Sequence, residues 1–286
     1  MFLRGKMTDI SDEALLGAPL GQETAYPTAY DAGILFAIDR QLARSAIGLA
    51  STALPFHGYD LWTAYEVSWL NPKGKPVFAI AEITVPCQST AIVESKSLKL
   101  YLNTFNQTQF VSPSVVAATI AQDLSRLLGA QVTVDLYDEF DPYLQAPFAM
   151  PVGTNLDTLD IACDLYQPCA DLLQVQSAQS GPQTYYSGLL KSNCRVTGQP
   201  DWGSVFITCE GPLIDPASLL RYIVSFREHN EFHEPCVERI FVDILEKCAP
   251  TQLQVAARYT RRGGIDINPV RRTDAKISLP PRQPRQ

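Results

Sequence analysis

The chain has 286 residues, 46% of them hydrophobic and 19% charged, which is typical of a globular protein that buries a full core. A formal net charge of −7 argues against nonspecific nucleic-acid binding, because contacts to phosphate require clustered lysine and arginine. No apolar run reaches the ~18 residues that a membrane span needs and no signal peptide is recognisable, so we expect a cytoplasmic protein.

The first half predicts one layered unit of strands and helices. Residues 1–58 lack clear periodicity and predict an irregular N-terminal arm. Residues 61–70 and 77–85 predict a β-hairpin around the turn Asn71-Pro72-Lys73-Gly74. Helical patterns at 98–105 and 115–128, then an alternating strand at 132–136, complete a unit that we place at residues 59–139.

The second half predicts the same order of elements. A hairpin, helical patterns at 220–226 and 237–248, and a strand at 253–257 form a unit placed at residues 185–270. Residues 140–184 predict a linker or insertion, and residues 271–286 predict a tail rich in proline and arginine. Antiparallel strands packed on paired helices, repeated in tandem, predict an α+β fold.

The segment Glu94-Ser95-Lys96-Ser97 directly precedes the first predicted helix. Serine side chains commonly accept hydrogen bonds from the first N–H groups of a helix, so Ser95 or Ser97 is the expected N-cap. The lysines of this segment have an ordinary interpretation as solvated surface residues.

Cys194 and Asp201 flank the predicted turn of the second hairpin, the thiol at the end of a strand and the carboxylate on the connecting loop. A thiol and a carboxylate at one mouth can act as nucleophile and proton donor. Because Lys191 and Arg195 flank Cys194, we expect a nearby cation to lower the thiol pKa. The alternative interpretation is a buried thiol beside an ordinary turn aspartate.

A polar segment at residues 225–235 carries His233 and Glu234 ahead of a predicted helix. Glu234 fits a helix start, where the dipole favours an acidic side chain. It equally fits an anchor that accepts two parallel hydrogen bonds from the N–H edge of a guanine-type ring. In the later turn 261–264, Arg262 and Gly263 would suit a phosphate, whereas no Rossmann or P-loop glycine pattern occurs.

The seven cysteines include no C-x-x-C pair, and histidine occurs only three times. An odd number of cysteines in a long chain without a signal peptide predicts reduced thiols. We therefore expect no disulfide framework and no metal site.

Several of these motifs, taken in order, resemble the NADPH-dependent 7-cyano-7-deazaguanine reductases, the nitrile reductases of queuosine biosynthesis. The similarity runs through residues 94–107, 190–194, 199–203, 227–234 and 258–269. It implies tandem units of the tunnelling fold (T-fold), as in the long two-unit form of the family, assembled as a homodimer. The arm, the linker and the tail carry no motif of this family.

The resemblance also implies roles for individual residues. Cys194 would form a covalent thioimidate with the nitrile carbon, Asp201 would donate the proton, and His233 would assist proton transfer. The substrate ring would be held by Val93, Glu94, Ser95, His233 and Glu234. NADPH would contact Ser95, Lys96, Arg262 and Gly263. The substrate is a free base that takes part in tRNA modification, so direct binding of tRNA is not implied.

Two other functions stay open from the residues alone. One is a hydrolase of the same fold, similar to GTP cyclohydrolase, against which the scarcity of histidine counts. The other is a non-catalytic purine- or pterin-binding protein in which Cys194 has no chemical role.

Overall fold

The computed structural model describes residues 27–49, 53–142, 144 and 148–286. The strands are β1 (Ala37–Asp39), β2 (His57–Leu70), β3 (Pro76–Pro86), β4 (Ala91–Val93), β5 (Thr133–Tyr137), β6 (Thr154–Asn155), β7 (Val175–Asn193), β8 (Pro200–Ile214), β9 (Gln252–Tyr259) and β10 (Ile265–Arg272). The helices are α1 (Arg40–Ser45), α2 (Ser95–Asn103), α3 (Pro113–Leu128), α4 (Pro216–Ser225) and α5 (His233–Cys248). Single 3₁₀ turns lie at Ala32–Ile34, Leu156–Thr158, Ala170–Leu172 and Phe226–Glu228.

Eight strands form one sheet in the order β5-β3-β2-β10-β9-β8-β7-β6. All neighbours in it are antiparallel except β6 and β7, and β1 pairs with β4 in a separate two-stranded sheet. The α+β class is therefore confirmed. Within the described ranges, no helix is both long and apolar enough to cross a membrane.

Both predicted hairpins are present. The turn between β2 and β3 is closed by Asn71, whose N–H donates to the Lys75 carbonyl at 2.9 Å. Gly74 in this turn has φ of 78°, a conformation that favours glycine. The second hairpin joins β7 to β8 through residues 194–199, as the turn residues predict.

Helices pack on the sheet over two apolar cores. In one core, α2 and α3 cover β2 and β3, with buried side chains that include Trp62, Trp69, Leu98, Tyr101, Ile120 and Leu124. In the other, α4 and α5 cover β7, β8 and β9, with buried side chains that include Ile207, Leu219, Ile223, Val237, Phe241 and Val255. The helical periodicity of each half supplied these apolar faces.

The two halves meet where β10, near the end of the chain, lies beside β2. Eight residue pairs run from Ile265 opposite Ala64 to Arg272 opposite His57. One hydrogen-bonded sheet thus continues across the middle of the molecule. Residues near both β2 and β10 are brought together although about 200 positions separate them in the sequence.

Three segments are more ordered than the sequence pattern predicts. The arm contains β1 and α1, and β7 begins at Val175, inside the segment predicted as a linker. The first part of β7 is largely polar and pairs irregularly with β8, so it lacks the alternation that marks a strand. The tail begins within β10 and then packs on the sheet, where the Arg258 guanidinium donates to the Pro280 carbonyl at 2.6 Å.

Candidate active site

A pocket with about 390 Å³ of empty space lies between the two halves of the sheet. Seven residues that the sequence singled out line it: Val93, Ser95, Cys194, Asp201, His233, Glu234 and Arg262. They come from β4, α2, the β7–β8 turn, β8, α5 and the β9–β10 turn. Residues spread over 170 positions of the sequence therefore converge on one cavity.

Cys194 follows β7 directly and is held by the hairpin turn. Its N–H donates to the Gln199 carbonyl at 2.8 Å, and its carbonyl accepts from the Gly198 N–H at 2.9 Å. The side chain is 7% exposed and borders the pocket. These two backbone hydrogen bonds therefore hold Cys194 in the turn between β7 and β8, beside the pocket.

Asp201 lies in β8 opposite Ser192 and not on the connecting loop as predicted, because β8 already begins at Pro200. Its carboxylate pairs with the Arg262 guanidinium, and Oδ2 lies 3.5 Å from His233 Nε2. Burial raises the pKa of Asp201, but His233 and Arg262 outweigh this effect and hold the pKa below its usual value. This arrangement favours the charged carboxylate.

His233 is the first residue of α5 and stacks on the Tyr259 ring. The two ring centroids are 3.9 Å apart and the planes differ by 8°. Its Nδ1 is buried without a hydrogen-bond partner, whereas Nε2 faces Asp201. Stacking and the carboxylate thus fix the orientation of the imidazole.

Glu234 is 2% exposed, and its Oε1 has no hydrogen-bond partner. Burial, followed by the nearby Asp60 carboxylate, raises the pKa of Glu234 to about 8. An unpartnered buried acceptor is costly unless a ligand satisfies it. The helix-start interpretation is also correct, because Glu234 lies in the first turn of α5.

Glu94 is the N-cap of α2, so the prediction of Ser95 or Ser97 in that position is wrong. One carboxylate oxygen accepts from the Lys96 N–H and the other from the Ser97 N–H, both at 2.7 Å. The longer glutamate side chain can reach back to both donors. Ser97 instead donates to the Glu94 carbonyl at 2.7 Å.

A second pocket of about 310 Å³ adjoins the turn at Arg262 and is lined by Glu66, Lys99, Asn103, Gly263 and Gly264, among others. Arg262 also donates to Gln199 Oε1 at 2.6 Å. Burial, followed by the Arg262 charge, lowers the pKa of Lys99. Gly263 has φ of 57° and lies against the Lys99 side chain.

The cations expected to activate Cys194 face other groups. Lys191 Nζ donates to Asn193 Oδ1 and to the Arg227 carbonyl, each at 2.6 Å. Arg195 pairs with Glu231 at 3.4 Å. Sequence proximity to Cys194 therefore did not give these two cations to the thiol.

Sequence reasoning missed several residues of the site. Lys99, one turn beyond Lys96 on α2, interacts electrostatically with Cys194 and Asp201. Its position could have indicated this, because Lys99 follows Lys96 by three residues and residues three apart lie on the same face of a helix. The apolar walls had no signal in the sequence: Trp62, Ile92, Phe232 and Ile267.

In the part of the chain that the structure describes, no three His, Cys, Asp or Glu side chains converge to hold a metal ion. All seven cysteines are free thiols.

Two family models match the chain. A model described as nitrile reductase, 7-cyano-7-deazaguanine reductase N-terminal, matches residues 26–136, and one described as QueF-like protein matches residues 200–278. A protein of Azoarcus sp. (strain BH72) is 55% identical over 257 residues, which are 90% of this chain and 91% of that protein. One of Dechloromonas aromatica (strain RCB) is 54% identical over 259 residues, 90% of each chain. Both are named NADPH-dependent 7-cyano-7-deazaguanine reductase.

Proposed function

The chain belongs to the family of NADPH-dependent 7-cyano-7-deazaguanine reductases, and from that premise we propose how its pocket reduces the nitrile. The enzyme converts 7-cyano-7-deazaguanine into 7-aminomethyl-7-deazaguanine at the expense of NADPH. The observation that carries the proposal is that Cys194, Asp201, His233 and Glu234 line one pocket.

The Cys194 thiol gives its proton to the Asp201 carboxylate and the thiolate attacks the nitrile carbon. Asp201 then passes that proton to the nitrile nitrogen, which yields a covalent thioimidate. A nitrile is a poor hydride acceptor, whereas a protonated C=N that carries sulfur is a good one. When bound, NADPH would supply both hydrides of the reduction, the second only after the carbon has lost the Cys194 sulfur. Two hydrides and two protons convert the nitrile into the aminomethyl group, with His233 relaying a proton in the second stage.

Glu234 anchors the ring of the substrate. Its unpartnered Oε1 and its place on the pocket wall support this role. A carboxylate accepts both N–H groups of a guanine-type edge in parallel. The pocket is also lined by Val93 and Ser95, the two neighbours of Glu94 at the start of α2. The apolar walls of the pocket suit a flat ring.

Arg262 and the glycine turn fit the phosphates of NADPH. Lys99 and Arg262 supply positive charge beside Gly263, and the second pocket adjoins this turn. Ser95 and Lys96 lie at the start of α2, on the side of the first pocket. Arg262 forms an ion pair with the Asp201 carboxylate in this structure. We infer that this ion pair breaks when Arg262 binds a phosphate of NADPH, and that Asp201 can carry a proton only after that.

We propose that the halves are duplicated T-fold units and that the enzyme is a cytoplasmic homodimer. The order β7-β8-α4-α5-β9 of the second half matches β2-β3-α2-α3-β5 of the first, which has the short β4 in addition, and this supports the duplication. Four large apolar side chains in the connection between β5 and β6 are exposed, which supports a subunit contact: Phe140, Phe148, Met150 and Val152.

One experiment tests the chemistry. Purified protein is mixed with NADPH and the 7-cyano base, NADPH oxidation is followed by absorbance, and the adduct is sought by mass spectrometry. We expect two NADPH oxidised for each aminomethyl product. Cys194→Ala is expected to lose both turnover and the adduct.

Cys163→Ala is the matched control, because Cys163 is a half-buried thiol outside the pocket. Normal turnover in Cys194→Ala would refute the covalent step. Absence of NADPH oxidation by the wild type would refute the function itself.

A further inference from the structure

Five charged side chains outside the proposed chemical groups are buried together next to Glu234. They come from α1, β2, α5 and β10, and each is at most 5% exposed: Arg40, Arg44, Asp60, Glu238 and Arg271. We call them the buried charge cluster. Unpaired charges are extremely costly in a protein interior, so such a group persists only when its charges are paired with one another or with a neighbouring group.

The cluster is continuous. Asp60 binds two guanidinium groups, at 2.5 Å from Arg40 and 2.8 Å from Arg271. Glu238 Oε1 lies 2.7 Å from Arg44 Nη2 and 2.8 Å from Arg271 Nη2. Arg271 thus joins both carboxylates, and the arm, both sheet halves and α5 are tied together.

Glu234 and Glu238 are four residues apart on α5, so they lie on the same face of the helix. Three guanidinium groups and two carboxylates leave one positive charge uncompensated in the cluster. Glu234, when ionised, supplies the negative charge that balances it. Its Oε1 has no partner within the protein and borders the pocket.

We propose that the buried charge cluster, which Glu238 joins one turn of α5 beyond Glu234, sets the charge of Glu234 for binding of the base. The inference rests on the proposed role of Glu234 as ring anchor. A carboxylate that accepts two N–H groups must be ionised, so base binding is coupled to loss of the Glu234 proton. The cluster decides how readily that proton leaves.

The carboxylates and the guanidinium groups of the cluster shift the pKa of Glu234 in opposite directions. Besides burial, the negative charge of Asp60 raises the pKa of Glu234, whereas the positive charges of Arg40 and Arg271 lower it. The other titratable or charged groups that face the same pocket are Cys194 after β7, Asp201 on β8, His233 on α5 and Arg262 in the β9–β10 turn.

The test measures the affinity of the 7-cyano base by calorimetry from pH 6 to pH 10, in a Cys194→Ala background that prevents the adduct. We expect affinity to fall about tenfold per pH unit below a midpoint near the Glu234 pKa of about 8. Arg40→Gln removes a positive charge and is expected to move the midpoint up by about one pH unit. Asp60→Asn removes a negative charge and is expected to move it down.

One charge-conserving variant of the cluster and one variant far from the cluster provide the controls. Arg40→Lys is expected to restore the midpoint, and Arg126→Gln, an exposed side chain on α3, to leave it unchanged. If Asp60→Asn does not fold, Glu238→Gln removes the other carboxylate of the cluster and carries the same expected downward shift.

A purely structural cluster gives a different result. Loss of affinity in both variants with an unchanged midpoint, or a shift of both in the same direction, would overturn the proposal. Glu234→Gln separates this failure from failure of the proposed function. If that substitution leaves affinity and its pH dependence intact, Glu234 is not the ring anchor.

Discussion

At the scale of single residues, the site holds Asp201 in a form opposite to the one that its proposed task requires. The Arg262 guanidinium and the His233 imidazole both face its carboxylate and hold the pKa of Asp201 below its usual value. A proton donor must instead be protonated when the nitrile reacts. The ion pair with Arg262 is therefore expected to break during the reaction, and the side chain of Asp201 becomes the most informative one to change.

Asp201→Asn is expected to slow turnover by about 10²–10⁴-fold, because the amide cannot carry the proton. Binding of the base is expected to change little, because the proposed ring anchor is Glu234 and not Asp201. NADPH oxidation measures the first effect, and calorimetry with the 7-cyano base measures the second.

The matched control is Asp171→Asn, which removes an exposed carboxylate paired with Lys247 away from the pocket. It is expected to leave both quantities unchanged. Complete loss of base binding in Asp201→Asn would instead identify Asp201 as a recognition or structural residue.

At the scale of elements, the first turn of α2 combines a structural and a proposed functional role. Glu94 satisfies two N–H groups of that turn, a task that elsewhere falls to serine, as Ser112 does at the start of α3. Burial raises the pKa of Glu94, although the same N–H groups oppose this effect. The two N-caps offer a matched pair for separating the roles.

Glu94→Ala and Ser112→Ala are each expected to lower the free energy of unfolding by about 1 kcal/mol through loss of the cap. Only Glu94→Ala is expected to weaken base binding, by tenfold or more. Of the two helices that these residues cap, α2 borders the pocket and α3 does not. Denaturant unfolding and calorimetry measure the two effects. If Glu94→Ala loses as much stability as Ser112→Ala but keeps the wild-type base affinity, Glu94 acts only as a helix cap.

Strands β8 and β9 position His233 indirectly. Gly203 lies opposite Tyr259, and a Cβ at Gly203 would come within 3.1 Å of the Tyr259 ring. That ring stacks on His233. Close packing in this layer transmits a displacement from the strand to the imidazole.

Gly203→Ala is therefore expected to lower kcat at least tenfold while base affinity stays within a few-fold, and to cost about 1–3 kcal/mol of stability by overpacking. Gly181→Ala in β7 is the control, because a Cβ there meets no atom within 4 Å. An unchanged kcat in Gly203→Ala would show that the stacked pair has no role in turnover.

At the scale of the whole molecule, the two halves share one sheet and one buried charge cluster. Strand β10 pairs with β2 along eight residues, and the cluster ties both strands to α1 and α5. Separating the halves would break these hydrogen bonds and leave buried charges unpaired. Neither half is therefore expected to unfold alone.

Calorimetric unfolding is expected to give a single transition, with the calorimetric enthalpy close to the van't Hoff enthalpy. Gly58→Ala would place a Cβ 2.0 Å from the Val270 carbonyl oxygen in β10, so it is expected to lower the entire transition. Two resolved transitions in the wild type, or a shift of only part of the heat absorption in Gly58→Ala, would show that the halves are independent.

Local patterns were sufficient for much of the fold. The apolar faces of α3 and α5 follow the helical period, and Asn71–Gly74 carries the turn chemistry of the first hairpin. Motifs in chain order also identified the family and seven of the residues that line the pocket. These features are encoded within a few residues of one another, where periodicity and turn preferences act.

Only the tertiary structure decided which charges face which groups. Lys191 and Arg195 flank Cys194 in the sequence yet pair elsewhere, while Lys99 and Arg262 arrive from α2 and the β9–β10 turn. Arg40 and Arg271, read as parts of an arm and a tail, are buried on either side of Asp60. The physical reason is that β2–β10 pairing joins distant segments, and electrostatic energy depends on separation in space and on burial.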